Sequence, residues 1–294
     1  MIDASQFRDR ATEEAFRVAW FASRHLPESG VRTAFMMAAD QAYRRNGAGV
    51  QRLRMNLGRV RPEYSAAQLE RITREGMHSY MRYWMEAFRL PSWTSEQVRE
   101  RFYLDNTKML DEAVAMGNGV IMAPGHLANW DSAGAWAADR YGGLATVAER
   151  LKPEGLFEQF LEYRRTLGMQ VLPLGDPDIM RFLTRTLQRG GMVALLGDRD
   201  VGGNGIEVDF LGGRAKLPAG PAALSALTGA PLLPIGLWYD GPKLRGHVYE
   251  PIVATPGADR STQIPIMTQK LADALGQAIY EHPQDWHMMQ RIWL

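Results

Sequence analysis

The sequence contains no cysteine and very little lysine. Without cysteine the chain can form neither disulfides nor thiolate metal sites, and no thiol can act as a nucleophile. This absence leaves the cellular compartment open. Only five of the 34 basic residues are Lys, so 29 are Arg, whose planar group favours bidentate contacts with phosphates and carboxylates.

Long apolar runs are also missing. No window approaches the roughly 18 uninterrupted apolar residues that a membrane-spanning helix requires. The start of the chain is polar and charged, a pattern unlike that of a secretory signal peptide. We therefore expect the protein in the cytoplasm, and binding to a membrane surface stays open.

Several catalytic motifs are absent. The chain has no G-x-S-x-G nucleophile elbow, no Walker A loop and no H-E-x-x-H zinc motif. The glycines of residues 202–205 lack the spacing of a dinucleotide-binding fingerprint, so they predict a flexible loop. Five histidines outside the main motif show no spacing typical of a metal site, and we expect structural or surface roles for them and no bound metal. They are His25, His78, His247, His282 and His287.

The remaining composition is that of an ordinary globular protein. Apolar residues make up 46% of the 294 residues, charged residues make up 23%, and the formal net charge is +1. The spacing of apolar residues predicts helices over residues 1–90. From about residue 103, patterns typical of strands and of helices alternate. Such alternation is typical of an α/β protein with a central, mostly parallel sheet flanked by helices.

The pattern predicts a single domain over residues 1–294. A helical, membrane-facing region (1–100) is expected to pack on an α/β catalytic core (101–294). The predicted strands cover residues 119–124, 144–148, 169–174, 192–196, 206–211, 232–239 and 246–253.

A basic stretch lies within the helical region. Residues 44–61 contain six arginines, interleaved with apolar side chains, and no acidic residue. One interpretation is an amphipathic surface that binds anionic lipid headgroups, where each cation near the surface contributes about 1 kcal/mol. The alternative is a solvated helix face in an arginine-rich protein. Nucleic acid is a weaker candidate, because the stretch has no interleaved aromatics and the whole chain is nearly neutral.

The most informative stretch runs from Val120 to Asp131. Its apolar first half predicts a buried strand that ends at Pro124-Gly125, so His126 lies on a turn at the carboxyl edge of the sheet, where α/β proteins place their chemistry. If His126 folds back over the helix that follows, Asp131 can hold one ring nitrogen and leave the other free as a general base. The alternative is that His126 caps a helix end and Asp131 is a first-turn acid favoured by the helix dipole.

Three further polar clusters follow or lie near predicted strands and should meet at the same edge of the sheet. They are Glu149–Arg150 with Lys152, Arg164–Arg165, and Asp198–Arg199–Asp200. Arginines at this edge would suit phosphate groups, and carboxylates would suit sugar hydroxyls or a polarised water. Each cluster taken alone could equally be a surface ion pair. The turn Lys216–Pro221 has small residues that permit a carbonyl or phosphate to approach the backbone closely.

These motifs together resemble a known family. Gly125-His-Leu-Ala-Asn-Trp-Asp131 is similar to the H-x-x-x-x-D motif of glycerolipid-type acyltransferases, and more narrowly to that of the bacterial lipid A late acyltransferases. Later blocks match in the same order: Tyr163–Gly168, Gly197–Asp200, Phe210-Leu-Gly with Lys216–Gly220, and His282–Trp286. The arginine-rich N-terminal region, in place of a spanning anchor, resembles the actinobacterial branch, the phosphatidylinositol mannoside acyltransferases.

The resemblance implies transfer of a long acyl chain, palmitoyl by preference, from acyl-CoA to a mannose hydroxyl of a phosphatidylinositol mannoside. Acyl-CoA is then a co-substrate, no cofactor is implied, and the protein would attach peripherally to the cytoplasmic face of the plasma membrane. His126, held by Asp131, would act as the general base without a covalent intermediate. Asp200 or Asp198 would orient His126 or the acceptor sugar. Candidate groups for binding phosphates and sugar hydroxyls are Arg150, Arg164, Arg199 and Glu149.

Two other functions stay open. An acyl-CoA thioesterase could use the same histidine to activate water, and it would release CoA without any acceptor. A non-catalytic lipid-binding module would bind vesicles without turnover, and His126 and Asp131 would then be structural.

Overall fold

The N-terminal part of the chain is helical, as its sequence predicts. The computed structural model describes residues 4–150 and 154–294, and within this part five helices precede the first strand. They are α1 (Ala4–His25), α2 (Glu28–Arg45), α3 (Ala48–Val60), α4 (Ala66–Arg89) and α5 (Ser95–Arg101). Helix α4 begins at a capping box in which the Ser65 and Gln68 side chains satisfy backbone N–H groups of the first turn.

A seven-stranded sheet forms the centre of the rest of the described chain. Its strands are β1 (Phe102–Asp105), β2 (Val120–Pro124), β3 (Leu144–Ala148), β4 (Met169–Pro173), β5 (Met192–Ala194), β8 (Leu232–Asp240) and β9 (Lys243–Val248), and a separate hairpin contains β6 (Ile206–Phe210) and β7 (Gly213–Leu217). The order across the sheet is β1-β9-β8-β2-β5-β3-β4. All neighbouring strands are parallel except β8 and β9.

Helices connect these strands and cover the sheet. They are α6 (Thr107–Ala115), α7 (Trp130–Tyr141), α8 (Glu154–Thr166), α9 (Ile179–Gln188), α10 (Gly220–Thr228) and α11 (Arg260–Glu281). Strand β2 is in the middle of the sheet and is almost wholly buried, which explains its unbroken apolar sequence. The predicted fold class, a mostly parallel central sheet flanked by helices, is confirmed.

Some predicted strand bounds are wrong. Strand β1 was not predicted, and residues 213–217 form β7 of the hairpin rather than a simple turn into α10. Strand β9 begins at Lys243, not at residue 246, because it pairs with β8 from the tight turn at Gly241 onward. After Val248 the chain leaves the sheet, apart from an isolated bridge between Ile252 and Leu232.

Helix α4 connects the helical region to the sheet. It packs against α1, α2 and α3, and it also contacts α7 and the short 3₁₀ turn Pro283–Asp285. Its buried face carries polar side chains, including Ser79 and Glu86, as well as the Tyr83 ring. Among the residues described, no helix combines the length and apolar character needed to cross a membrane.

Candidate active site

His126 is hydrogen-bonded to Asp198. Nδ1 of His126 lies 2.7 Å from Oδ1 of Asp198, and the backbone N–H of His126 donates to Oδ2 of the same carboxylate at 2.8 Å. These residues follow β2 and β5, which are neighbours in the sheet. Pairing continues beyond β5 through a hydrogen bond from Gly197 N–H to the Pro124 carbonyl. The carboxyl ends of two adjacent parallel strands thus join a histidine to an aspartate 72 residues away.

The hydrogen bonds of Asp198 determine which nitrogen of His126 is free. Oδ2 of Asp198 also accepts from the indole Nε1–H of Trp286 at 2.9 Å, and both side chains are fully buried. Because an ionised carboxylate can only accept, Nδ1 of His126 carries the proton, and Nε2 of the neutral ring is left as a base. His126 lines a cavity, so this base is available to a molecule bound there.

The interactions of Asp198 with its partners keep this carboxylate ionised in spite of its burial. Burial raises the pKa of the Asp198 carboxyl, but the charge and hydrogen bonds of His126 outweigh it, and the pKa lies below its ordinary value. An ionised carboxylate at this position stabilises the imidazolium that forms when His126 accepts a proton. The pair therefore has the geometry and charge of a general base with an orienting carboxylate.

The prediction that Asp131 holds His126 is wrong. Asp131 lies in the first turn of α7 and accepts two hydrogen bonds from Arg164 of α8, at 2.8 and 3.2 Å. Its Oδ2 also accepts from the Tyr83 hydroxyl at 2.9 Å. With Asp131 only 3% exposed, this ion pair is a buried link between α4, α7 and α8.

The turn between His126 and α7 explains this separation. Ala128 has a positive φ of 45°, and its N–H donates to the carbonyl of Asp285 at 2.8 Å. Helix α7 then begins with the Asn129 side chain accepting from Ser132 N–H. The chain therefore changes direction between His126 and Asp131. His126 contacts Asp198, whereas Asp131 contacts the helices α4 and α8.

A cavity of about 650 Å³ lies in front of His126. Its wall is mostly apolar, with aromatic side chains from α4, α7 and α8 and aliphatic side chains around α9 and α10. The aromatic group contains Tyr80, Tyr83, Trp84, Trp130 and Phe160, and the aliphatic group contains Leu174, Ile179, Met180, Leu183, Leu195 and Leu224. The turn Lys216–Pro221 contributes its last four residues to the wall. A cavity of this size and character suits an apolar chain.

Two of the predicted polar residues meet at the cavity as an ion pair. Glu149 follows β3 and Arg199 follows β5, which are adjacent strands, and the two side chains are hydrogen-bonded. Both line the cavity. Arg164 also lines the cavity, although its guanidinium is paired with Asp131. Burial lowers the pKa of Arg164, but the charge of Asp131 outweighs it and the pKa is raised, so Arg164 stays charged.

Arg150 lies apart from this group. Its side chain is 57% exposed, pairs with Glu154 of α8 at 2.9 Å, and does not contribute to the described lining of the cavity. Lys152 lies outside the described residues.

Asp200 holds a loop and does not contact His126 in the described structure. Its Oδ1 accepts from the N–H groups of Gly202 and Gly203, and its Oδ2 accepts from that of Gly205 at 2.6 Å. Of the two carboxylates predicted to orient His126 or the acceptor sugar, Asp198 is therefore the one that contacts His126. Asp200 itself remains at the cavity, where it shapes the glycine-rich wall.

His287 lines the same cavity, although its sequence context predicts a structural or surface role. It is 6% exposed, and its backbone N–H donates to the carbonyl of His126 at 2.8 Å. The signal that could have found it is the block from His282 to Trp286, which the resemblance singled out and which ends one residue before it. Within the described part of the chain, no three His, Asp or Glu side chains group as a metal site would need.

Comparison with known proteins decides the family. The family model described as bacterial lipid A biosynthesis acyltransferase matches residues 9–294. The chain belongs to this acyltransferase family. Among curated proteins, it is 40% identical to the phosphatidylinositol mannoside acyltransferase of Mycobacterium tuberculosis, over 97% of this chain and 89% of that protein. It is 37% identical to the protein of the same name from Mycolicibacterium smegmatis, over 97% of this chain and 92% of that protein.

Some arginines of the basic stretch, residues 44–61, make contacts within the protein. Arg54 pairs with Glu70 at 2.7 Å, and Arg61 pairs with Glu63 at 3.0 Å. The guanidinium of Arg59 lies over the Trp293 ring, 4.9 Å from its centroid. Two of the six arginines are thus paired with carboxylates, which reduces the net charge available to an anionic surface.

Proposed function

We propose that this chain transfers a long-chain acyl group, palmitoyl by preference, from acyl-CoA to a mannose hydroxyl of a phosphatidylinositol mannoside. The observation that carries this proposal is the His126–Asp198 pair, whose free Nε2 faces a largely apolar cavity. The names of the two mycobacterial relatives support the acceptor. The long acyl chain is supported by the apolar lining of the cavity, because such a chain can bury against its aliphatic wall.

His126 acts as the general base in this proposal. Nε2 takes the proton of the sugar hydroxyl while the hydroxyl oxygen attacks the thioester carbonyl carbon. The tetrahedral intermediate then collapses, the carbon–sulfur bond breaks, and the CoA thiolate takes the proton from the imidazolium. Asp198 keeps the ring in the required tautomer throughout. Proton transfer of this kind contributes about 10²–10⁴-fold to the rate, and it requires neither a covalent acyl-enzyme nor a further cofactor.

The polar rim of the cavity supports binding of the two substrates. Arg199 is a candidate for phosphate oxygens of the donor or the acceptor, and Glu149 is a candidate for sugar hydroxyls. Their mutual ion pair would open or rearrange when either ligand enters. Arg164 is a weaker candidate for phosphate than its sequence predicts, since Asp131 already occupies its guanidinium.

We also propose peripheral attachment to the cytoplasmic face of the plasma membrane. Four large apolar side chains on α1, α2 and the turn between them are more than half exposed. They are Val18 (64%), Phe21 (64%), Leu26 (54%) and Met37 (66%). Arg44 and Arg45 at the end of α2 are also exposed. Exposed apolar side chains and cations are both features by which interfacial helices bind anionic lipids.

The test is thiol release from palmitoyl-CoA, with and without phosphatidylinositol mannoside, followed together with the acylated lipid by mass spectrometry. We expect thiol release to be matched one-for-one by a heavier lipid, and His126→Ala to lose both signals while keeping its fold. His78→Ala is the matched control, because His78 pairs with Asp40 away from the cavity. Release without a new lipid would make the protein a thioesterase. Vesicle binding without any release would make it a lipid-binding module.

A further inference from the structure

Trp286 is the last residue of the block His282–Trp286, and its side chain contacts Asp198 rather than the described wall of the cavity. We propose that Trp286 is a positioning residue for the reaction. Its indole N–H and the backbone of Gly125 form a seat for the carboxylate of Asp198. The seat holds this carboxylate with Oδ1 in line with Nδ1 of His126. This inference rests on the proposed function, and it adds a positioning residue to it.

The hydrogen bonds of Asp198 fix the rotation of its carboxylate. Oδ2 accepts from the backbone N–H of His126 at 2.8 Å and from Nε1–H of Trp286 at 2.9 Å, so two segments of the chain hold this one oxygen. With Oδ2 held, Oδ1 stays 2.7 Å from Nδ1 of His126. If the indole donor were lost, the carboxylate could rotate about its Cβ–Cγ bond and would no longer fix the plane of the imidazole.

Gly125 lets the carboxylate lie against the backbone of the turn. A Cβ at this position would be 3.1 Å from Oδ2 and 3.3 Å from Cγ of Asp198, which is closer than such atoms normally approach. The φ of Gly125 is not in the left-handed region, so its backbone conformation is open to alanine. The added methyl group would therefore crowd the carboxylate without straining the backbone.

Pairing and packing fix the side chain of Trp286. Its backbone forms an isolated bridge with Leu127, the residue that follows His126. The indole is fully buried and lies edge-on to the rings of Phe210 and Trp293, with centroids 6.2 and 6.1 Å away. A donor held in this way needs no reorganisation when the charge of the neighbouring imidazole changes during the reaction.

The donor is also neutral, which suits its position beside Asp198. Burial raises the pKa of the Asp198 carboxyl, whereas the charge and hydrogen bonds of His126, and then the hydrogen bond of Trp286, lower it. Among the described residues, His126 is the basic side chain that pairs with this carboxylate. A second cation would compete with the imidazolium for the negative charge. An indole N–H instead stabilises the charge and leaves it available to His126.

The test measures kcat and both KM values for thiol release from palmitoyl-CoA in the presence of phosphatidylinositol mannoside. In Trp286→Phe an aromatic ring remains but the donor is lost, and we expect kcat to fall about ten- to a hundredfold. Both KM values should change less than about twofold, because Trp286 lies outside the described cavity wall. Gly125→Ala displaces the same carboxylate by crowding and should lower kcat in the same way, again with little change in KM.

Trp293→Phe is the matched control. The indole N–H of Trp293 also donates to a buried acceptor, the carbonyl of Phe210, at 2.9 Å, but it does not contact Asp198. This variant should lose a similar amount of melting temperature as Trp286→Phe and keep the wild-type kcat. A third variant carries the benzothiophene analogue of tryptophan at position 286, which keeps the shape of the indole and lacks the N–H. It separates loss of the donor from loss of volume, and it serves as the test if Trp286→Phe does not fold.

Two results would overturn the inference. A kcat for the benzothiophene variant equal to that of Trp293→Phe would show that the indole serves stability alone. A rise in either KM with an unchanged kcat would show that Trp286 shapes the cavity instead of holding Asp198. Failure of the proposed function would look different, because the wild-type protein would then release thiol without making an acylated lipid. The comparison of kcat for thiol release would still test Trp286 in that case, since the same base would activate water.

Discussion

Asp200 lines the cavity, and Asp198 and Asp131 each bind a residue that lines it, but the three carboxylates form different interactions. Asp198 binds the imidazole of His126, Asp131 neutralises a buried arginine, and Asp200 accepts from three backbone N–H groups of a loop. The same side-chain type therefore orients a histidine, pairs with a buried arginine and holds a loop. Substitutions at the three should have separable effects.

Asp131→Asn is expected to destabilise the fold rather than remove the base. The substitution leaves the Arg164 charge buried without its counter-charge, and breaking one partner of a buried pair costs about 3 kcal/mol. Urea denaturation gives the free energy of unfolding. The matched control is Asp111→Asn, whose pair with Arg140 is more than 40% exposed on both sides and contributes no more than about 1 kcal/mol. Equal losses in the two variants would contradict the buried role of Asp131.

At the scale of elements, the glycine-rich segment 201–205 depends on Asp200. In Asp200→Ala the N–H groups of Gly202, Gly203 and Gly205 lose their acceptors, so we expect faster amide hydrogen exchange in this segment and unchanged exchange in β2 and β5. Peptide-resolved exchange with mass detection makes the comparison. Unchanged exchange would show that the carboxylate is not needed by the loop and is free to serve a substrate, as its sequence position suggested.

Most strands of the sheet could be predicted because each is a short apolar run between turn residues, whereas the four-residue edge strand β1 was not predicted. The sequence named Asp198 as one of several candidate partners of His126 but could not single it out, because the choice depends on the order of strands across the sheet. Strand β5 lies beside β2, although β3 and β4 come between them in the sequence. Asp131 was the nearest carboxylate along the chain, and Asp198 is the nearest in space.

Hairpins were the harder elements to predict. The β6–β7 turn consists of Leu211 and Gly212, both with positive φ (48° and 75°). The flanking residues have the same alternating pattern on both sides, so the sequence does not show clearly where one strand ends and the next begins. The position of His287 at the cavity was not predicted for a related reason. It depends on pairing between the turn after β2 and residues near the end of the chain.

At the scale of the whole molecule, the exposed apolar side chains of α1 and α2 predict how it meets a membrane. Phe21→Asp should weaken binding to vesicles containing phosphatidylinositol by at least about tenfold, because inserting a phenyl ring contributes about 1.5–3 kcal/mol. Co-sedimentation measures the bound fraction. The control is Met116→Asp, at an equally exposed position (67%) after α6. Wild-type binding by both variants would contradict membrane docking through this face.

The most direct test of the His126–Asp198 pair is the rate of acyl transfer by Asp198→Asn. The amide oxygen can keep the bonds from His126 N–H and Trp286, but its NH₂ group then faces Nδ1 and forces the proton onto Nε2, where it blocks the base. We predict a fall in kcat of about 10²–10⁴-fold with an unchanged circular dichroism spectrum. A kcat close to that of the wild type would contradict the assignment of His126 as a base held by Asp198.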